Sequence, residues 1–288
     1  MYHGGMRTQS SDTSPEAEQV QIALLRAAPV WRRLAGVSGL NRTLHTLALG
    51  GLRYRQPGYT AFEHRQLADL RLGTTLAARV YGPLVLGSER GEWNVEVANE
   101  ILVLLLVTTQ LEALDVPYAL GGSMASAALG IYRATNDADI IADLTESHVD
   151  PLVRALEGAF YIDADAIREA IRHRSSTNLI HLESMFKVDL FIPKRRAFDR
   201  NQLARRVSRQ VTGEPPRDVY IASAEDTVLA KLEWYRMGGE ISDRQWTDVL
   251  GVLKVRALDI DLAYLRQWAP QLGVADLLAR ALDDAGLA

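Results

Sequence analysis

The 288-residue chain contains no cysteine, so disulfides, thiolate zinc sites and cysteine nucleophiles are excluded. Its six histidines show no metal-ligand spacing, and we interpret them as ordinary polar residues. Long hydrophobic runs are also missing. The most apolar stretch, Ile101–Val107, is far too short to span a bilayer, and the first fourteen residues lack the apolar core of a secretory signal. These absences predict a cytoplasmic protein with no membrane association.

Lysine is absent from the first ninety residues, which carry eleven arginines and six acidic residues, a net charge of +5. The rest of the chain has a net charge of −9, which gives −4 overall. Such an asymmetry indicates either that the basic front docks on the acidic back or that the front contacts an anionic partner. We prefer mutual docking. The hydrophobic content of 48% and charged content of 24% are typical of a globular protein with a real core.

Hydrophobic periodicity and turn residues predict an α+β protein in four parts. Residues 1–13 are expected to be a disordered tail, 14–82 a helical N-terminal domain, 83–94 a linker with two glycines and a proline, and 95–288 the domain that carries the chemistry. The first predicted helix begins at Ser14-Pro15. The other predicted helices cover Val30–Leu52 (as far as Gly50-Gly51), Thr60–Leu72, Thr74–Tyr81, Val95–Leu114, His148–Ala159, Ala164–Arg174, Ala224–Met237, Asp243–Val255, Asp261–Trp268 and Val274–Ala285. The predicted strands cover Phe160–Ile162, Asn178–Glu183 and Phe186–Ile192, the last two forming a hairpin around Ser184.

Two carboxylates, Asp137 and Asp139, lie two residues apart at the start of a strand that continues into Ile140 and Ile141. Because side chains alternate between the faces of a strand, both aspartates point the same way. Two carboxylates on one face repel unless a cation lies between them, and hard oxygen ligands suit Mg²⁺, or Mn²⁺ in its place. A solvated strand end is the plain structural interpretation.

A glycine turn precedes these carboxylates by one short helix. Gly121 and Gly122 allow backbone N–H groups to approach an anion closely, and Ser123 opens a helix whose N-terminus favours negative charge. The spacing predicts a phosphate site next to a metal site. Taken alone, Gly-Gly-Ser is most often a simple turn.

A third carboxylate, Asp189, lies in a later strand on the same face as Lys187. If that strand pairs with the Asp137 strand, three acids surround one pocket. Two of them could hold metal ions while the third orients or deprotonates an attacking hydroxyl. The functional interpretation depends on the three motifs occurring together and in this order.

The combined pattern, apolar-Gly-Gly-Ser, a short helix, Arg-x-Thr-x-Asp-x-Asp-Ile-Ile and a later strand Asp, resembles the nucleotidyltransferase superfamily with the DNA polymerase beta-like fold. Within it, the chain resembles small prokaryotic enzymes of the abortive-infection (AbiEii-like) and toxin–antitoxin type. The resemblance covers about residues 95–285. It implies a nucleotidyltransferase fold, with a small mixed β-sheet flanked by helices and additional N-terminal and C-terminal helical parts.

The resemblance also implies a role for individual residues. Asp137, Asp139 and Asp189 would bind Mg²⁺ and act in catalysis, while a nucleoside triphosphate such as ATP would be held by Gly121, Gly122, Ser123, Arg133 and Thr135. Lys231 and Asp248 match the late Lys and Asp motifs of the abortive-infection type. Lys231 would contact phosphate, and Asp248 would orient Lys231 or a ligand. Gln245 departs from the pattern, because a carboxylate is expected there. Asp243 could replace it but could equally be a helix N-cap, and Asp248 could equally be a helix-surface charge.

The acceptor of the nucleotidyl group is left open between RNA (including tRNA) and protein. Seven basic residues between Lys194 and Arg209 could bind RNA or the triphosphate, but they lack interleaved aromatics and could equally form a solvated helix face. The helical front could regulate the site, or serve in packing or dimerisation, so an oligomer stays open. A protein of the same fold that binds a nucleotide or a partner without turnover is the alternative function.

Overall fold

Helices and strands alternate through most of the chain in the computed structural model, which describes residue 8 and residues 13–55, 60–82 and 100–288. The predicted tail falls almost entirely outside these residues, and so does the whole predicted linker 83–94. The boundaries 14–82 and 95–288 therefore stay a prediction. Within the described residues, no helix combines the length and the apolar character needed to cross a membrane.

Thirteen helices lie within the described residues. They are α1 (Pro15–Ala27), α2 (Val30–Arg55), α3 (Thr60–Leu72), α4 (Thr74–Tyr81), α5 (Glu100–Ala113), α6 (Gly122–Leu129), α7 (Glu146–Leu156), α8 (Ala164–His173), α9 (Ala197–Ala204), α10 (Ala224–Met237), α11 (Asp243–Val255), α12 (Leu262–Trp268) and α13 (Ala275–Asp284). The same ranges hold seven strands: β1 (Tyr118–Leu120), β2 (Asp137–Ala142), β3 (Phe160–Tyr161), β4 (Ser176–His181), β5 (Lys187–Phe191), β6 (Val207–Gln210) and β7 (Asp218–Ile221). The α+β class is confirmed.

Capping residues explain why several helix boundaries could be predicted. The hydroxyl of Ser14 accepts a hydrogen bond from the Ala17 amide at the start of α1, and Ser223 does the same for Asp226 in α10. In contrast, the predicted end of α2 at Gly50-Gly51 was wrong, because the helix continues to Arg55. A glycine costs a helix about 1 kcal/mol relative to alanine, which weakens the helix without ending it.

The predicted hairpin around Ser184 is confirmed, since β4 and β5 pair antiparallel. The hydroxyl of Ser184 and Nδ1 of His181 lie 2.8 Å apart within the turn, and Met185 adopts φ of 59°. A second hairpin, β6–β7, was missed. Its first strand, Val-Ser-Arg-Gln, falls within the basic segment and has no apolar alternation that would have marked it.

The chain divides into two compact units, each made of separate segments. The acidic unit comprises Val37–Tyr118 and Ala134–Lys194, and the C-terminal unit comprises Met1–Gly36, Ala119–Arg133 and Arg195–Ala288, each in its described residues. The strand order in the acidic unit is β3-β4-β5-β2, with β2 and β5 parallel and the other pairs antiparallel. In the C-terminal unit the order is β1-β7-β6, with β1 parallel to β7. Both parts of the sheet are thus mixed, as predicted.

The N-terminal helices share a hydrophobic core with the β4–β5 turn inside the acidic unit. Leu52, Leu67, Ala68 and Ala77 form a buried cluster with Met185. Because Met185 belongs to the turn between the two strands, helices α2 to α4 are part of the packing of this unit.

The C-terminal unit is held by close packing and by a buried ion pair. A Cβ atom at Gly130, directly after α6, would lie 2.7 Å from the backbone nitrogen of Val252, so only glycine allows this approach to α11. Helix α1 is bound to the same helix, since the ammonium of Lys254 lies 3.0 Å from a carboxylate oxygen of Glu18 and both side chains are buried. These contacts fix the C-terminal half of α11.

Candidate active site

Strand β2 presents its two aspartates on one face. Ala138 and Ile140 are fully buried, whereas Asp137 and Asp139 are only partly buried. This alternation fixes the register of the strand, because a slip by one residue would bury both carboxylates. The predicted orientation of the two side chains is confirmed.

Strand β5 brings the third carboxylate to the same place. It pairs parallel to β2, with Asp189 directly opposite Asp139 and Lys187 directly opposite Asp137. Val188 is fully buried between them. In a parallel pair, side chains opposite each other lie on the same face, so Asp137, Asp139 and Asp189 do share one surface of the sheet, as the sequence predicted.

A lysine ammonium lies between two of these carboxylates. Nζ of Lys187 donates to Oδ2 of Asp189 at 2.6 Å and lies 3.9 Å from Oδ2 of Asp137. Burial favours neutral Lys187, but the three neighbouring carboxylates outweigh it and raise the lysine pKa. Burial also raises the pKa of Asp189, against the opposing effect of the ammonium. The acidic face is thus partly neutralised by a cation of the chain itself.

The carboxylate of Asp137 has a second partner in Thr135. The Thr135 hydroxyl donates to Oδ1 of Asp137 at 2.8 Å. The backbone N–H and C=O of Thr135 are both bonded to the side chain of Asn41 in α2. Nucleotide binding by Thr135 stays a prediction. Asn41 was not among the predicted site residues. The one available signal was an amide within an apolar helical pattern.

In the C-terminal unit, the glycine turn leads directly into α6. Gly121 precedes the helix, and Gly122, its first residue, has φ of 54°, a backbone conformation that favours glycine. Ser123 follows, and its hydroxyl oxygen accepts a hydrogen bond of 2.7 Å from Nη2 of Arg133. The turn and the helix start are as predicted, while their contact with phosphate is untested.

Arg133 also contacts the two late-motif residues. Its guanidinium donates two hydrogen bonds of 2.9 Å to the Asp248 carboxylate, and the ammonium of Lys231 donates to the same carboxylate at 2.7 Å. Asp248 is 4% exposed, so the interpretation as a helix-surface charge was wrong. Two cations thus share one carboxylate next to Ser123 and the start of α6. We call Ser123, Arg133, Lys231 and Asp248 the cation cluster.

The N-cap of α11 is Ser242, whose hydroxyl accepts from the Gln245 amide, and not Asp243, which is the first residue of the helix. The predicted alternative of an Asp243 cap was therefore wrong. A serine one residue earlier meets the same need, because any short side-chain oxygen in this position can accept from the first turn.

Several arginines of the basic segment have partners in the chain. Nη2 of Arg196 lies 2.7 Å from Oδ1 of Asp199, and Arg196 also bonds to Glu233. Nη2 of Arg205 lies 3.0 Å from Oε2 of Glu225. These ion pairs connect α9 and the following turn to α10 and are a structural use of the segment. Binding of RNA or triphosphate by it stays a prediction.

Across the described residues, no group of three or more Asp, Glu or His side chains is already arranged to hold a metal ion. In the acidic unit, Lys187 bonds to an oxygen of Asp189 and Thr135 to an oxygen of Asp137. A divalent cation would have to displace the ammonium from Asp189.

No family model and no curated protein matches the chain. Among solved structures, it is similar to an antigenic nucleotidyltransferase-like protein from Paracoccidioides brasiliensis, with 19% identity and a TM-score of 0.41 over 62% of this chain and 93% of that one. At this level of similarity, any conclusion about activity has to come from the residues themselves.

Proposed function

We propose that the chain is a divalent-metal-dependent nucleotidyltransferase, which transfers a nucleoside monophosphate from a nucleoside triphosphate to a hydroxyl of RNA or protein and releases pyrophosphate. The observation that carries this proposal is the register of β2 and β5, in which Asp139 lies opposite Asp189 with Asp137 on the same face. Three carboxylates gathered on a partly buried face are costly without a function that needs their charge.

The donor chemistry of this face fits Mg²⁺ or Mn²⁺, because carboxylate oxygens are the ligands that such ions prefer. The ammonium of Lys187, 2.6 Å from Asp189 and 3.9 Å from Asp137, occupies this position and would be displaced by the ion. Asp137, Asp139 and Asp189 would hold the ion. When bound, it would supply charge neutralisation at the phosphate oxygens.

The cation cluster supports a phosphate subsite. Backbone N–H groups at Gly122 and Ser123 open an eight-residue helix, whose N-terminus favours an anion. Arg133 and Lys231 supply two positive charges, and both contact the Asp248 carboxylate. These residues would bind the triphosphate and favour the negative charge of the departing pyrophosphate.

Asp189 is suited to receive the acceptor's proton. It lies directly opposite Asp139 on the same face, where a carboxylate oxygen can reach the acceptor hydroxyl. In the proposed reaction, the acceptor oxygen forms a bond to the α-phosphorus while the bond from that phosphorus to the bridging oxygen of pyrophosphate breaks. The hydroxyl proton passes to Asp189.

Labelled nucleotides test the proposal. The protein, Mg²⁺ and each α-labelled triphosphate are incubated with cell RNA or with cell protein, and covalent label and pyrophosphate are measured. We expect both products with the wild type and neither with Asp139→Ala. The control is Asp143→Asn, just beyond the end of β2 and paired with Arg174, which should react normally. Equal products from wild type and Asp139→Ala would show that the acidic face is not catalytic.

A nucleotide-binding module without turnover is the second candidate. The observation that favours it is the contact of Lys187 with Asp189, which occupies a carboxylate needed for metal binding. Calorimetry with triphosphate and Mg²⁺, together with a pyrophosphate assay, separates the two functions. Binding without pyrophosphate release in the presence of RNA and protein acceptors would favour the module.

The AbiEii-like motif pattern leads us to propose a role in phage defence or a toxin–antitoxin pair, with the N-terminal helices as the regulatory part. Arg71 of α3 donates to the Ser184 carbonyl at 2.9 Å, and Tyr81 of α4 donates to the Leu182 carbonyl at 3.1 Å. Replacing Arg71 by methionine together with Tyr81 by phenylalanine tests regulation, because it removes these contacts and leaves Asn41 in place: higher activity or toxicity supports it. Loss of folding would instead support a packing role, as the shared core with Met185 favours.

A further inference from the structure

Asn41 lies in α2, far from the motifs in the sequence, yet it is 2% exposed and bonded to the segment before β2. We propose that Asn41 is a positioning residue, which orients the Asp137 carboxylate through Thr135 and thereby makes the N-terminal helix α2 part of the metal site. The inference depends on the proposed function, because it assumes that Asp137 binds a metal ion.

The side chain of Asn41 makes two hydrogen bonds to the backbone of Thr135. Its Nδ2 donates to the Thr135 carbonyl at 2.6 Å, and its Oδ1 accepts from the Thr135 N–H at 3.1 Å. Both backbone polar groups of Thr135 are therefore satisfied by a side chain rather than by a neighbouring strand. Two hydrogen bonds from one planar amide fix the position and the direction of this peptide segment.

The Asn41 amide itself has a fixed orientation. Nδ2 also donates to Oε1 of Glu100 at 3.0 Å, and Glu100 is buried. A flipped amide would place its oxygen against two acceptors and its nitrogen against a donor. The contacts thus allow one orientation of Asn41.

The fixed Thr135 in turn orients the Asp137 carboxylate. Thr135 is β-branched, so its side chain has few rotamers once the backbone is fixed. Its hydroxyl donates to Oδ1 of Asp137 at 2.8 Å, while Oδ2 lies 3.9 Å from the Lys187 ammonium. One oxygen is thus held by Thr135 and the other faces the site. Hydrogen bonds to ligating carboxylates are the kind of support whose loss weakens metal binding by about 10–100-fold.

The test measures Mn²⁺ binding by electron paramagnetic resonance and folding by urea denaturation. Thr135→Val, which removes only the hydroxyl, should weaken Mn²⁺ binding roughly tenfold, and Thr135→Ser should restore it. Asn41→Ala should weaken binding to the same extent. The double variant should be no worse than Thr135→Val alone, because both act along one chain of contacts. Arg168→Met, which loses a contact of α8 to Glu146 in the same unit, is the control and should bind Mn²⁺ normally.

If Asn41→Ala does not fold, Asn41→Ser takes its place, since it keeps a polar group in this buried position, adds no charge beside Glu100 and cannot make both bonds to Thr135. Normal Mn²⁺ affinity in the Asn41 and Thr135→Val variants, or additive losses, would overturn the inference. Asp139→Asn separates it from the proposed function. If that variant binds Mn²⁺ as wild type does, or wild type binds none, the metal site itself is wrong. If it loses binding while Asn41 variants do not, only the positioning role fails.

Discussion

Replacing Lys187 by methionine removes the one ammonium that the structure places between Asp189 and Asp137. Methionine keeps the length and the apolar stem of the side chain. Without the charge, three carboxylates share one face of β2 and β5 with no lysine between them. We expect Lys187→Met to lower stability in the absence of metal and to strengthen metal binding.

The magnitude follows from the contact that is lost. A hydrogen bond between charged groups contributes about 1.5–3 kcal/mol. The lysine side chain is 29% exposed, so solvent screening puts the loss of stability towards the lower half of this range. A metal ion in the wild type must displace the ammonium from Asp189 and gives up the same energy. Because about 1.4 kcal/mol corresponds to a tenfold change in affinity, the variant should bind Mn²⁺ roughly 10–40-fold more tightly.

Titration calorimetry with Mn²⁺ and urea denaturation with and without metal measure both effects. Lys194→Met is the matched control, since Lys194 is an exposed lysine just after β5, and it should change neither quantity. Excess Mn²⁺ should stabilise Lys187→Met more than the wild type, because a ligand that binds only the folded protein stabilises it by an amount that grows with the logarithm of its affinity. If Lys187→Met has wild-type stability and wild-type Mn²⁺ affinity, the ammonium does not compete for the metal site.

Three further changes test the packing and the pH response, all by urea denaturation. Gly130→Ala should cost about 1–3 kcal/mol through overpacking, while Gly158→Ala, with no atom within 4 Å of the new Cβ, should cost little; equal effects would contradict the packing of α6 on α11. Glu18→Gln should lower the free energy of unfolding by about 3–5 kcal/mol, because it leaves the Lys254 ammonium buried without this carboxylate. Replacing Glu18 by Leu and Lys254 by Met together should lower it much less. An unchanged free energy of unfolding in Glu18→Gln would refute the role of the pair. Burial lowers the pKa of His181 below its ordinary 6.5, so the unfolded chain binds the proton first and stability should fall as the pH drops through and below 6.5. His181→Gln should lose this slope, and an unchanged slope would exclude His181 as its source.

The alternation of strands and the faces of their side chains could be predicted from the sequence. Asp-Ala-Asp-Ile-Ile and Lys-Val-Asp-Leu-Phe each have a period of two, and this is enough to place Asp137, Asp139 and Asp189 on the surfaces where the structure has them. Serines and turn residues likewise marked the starts of α1 and α10. Such signals are local, and each depends on only a few neighbouring residues.

Contacts between distant residues could not be predicted in this way. Asn41 and Thr135 are 94 residues apart, and Arg133 and Asp248 are 115 apart. A buried amide or guanidinium has no periodic signature, because its partner is set by the packing of whole elements. For the same reason, the sequence placed Lys187 on the acidic face but did not predict its ion pair with Asp189.

The most direct test of nucleotidyl transfer compares the fate of two labels. The wild type is incubated with Mg²⁺, acceptor and triphosphate labelled at either the α- or the γ-phosphorus, beside Asp139→Asn. Transfer of a nucleoside monophosphate puts the α-label on RNA or protein and releases the γ-label as pyrophosphate, and Asp139→Asn does neither. A γ-label on the acceptor, or an α-label that Asp139→Asn incorporates as fast as the wild type, would contradict the proposed reaction at the face formed by Asp137, Asp139 and Asp189.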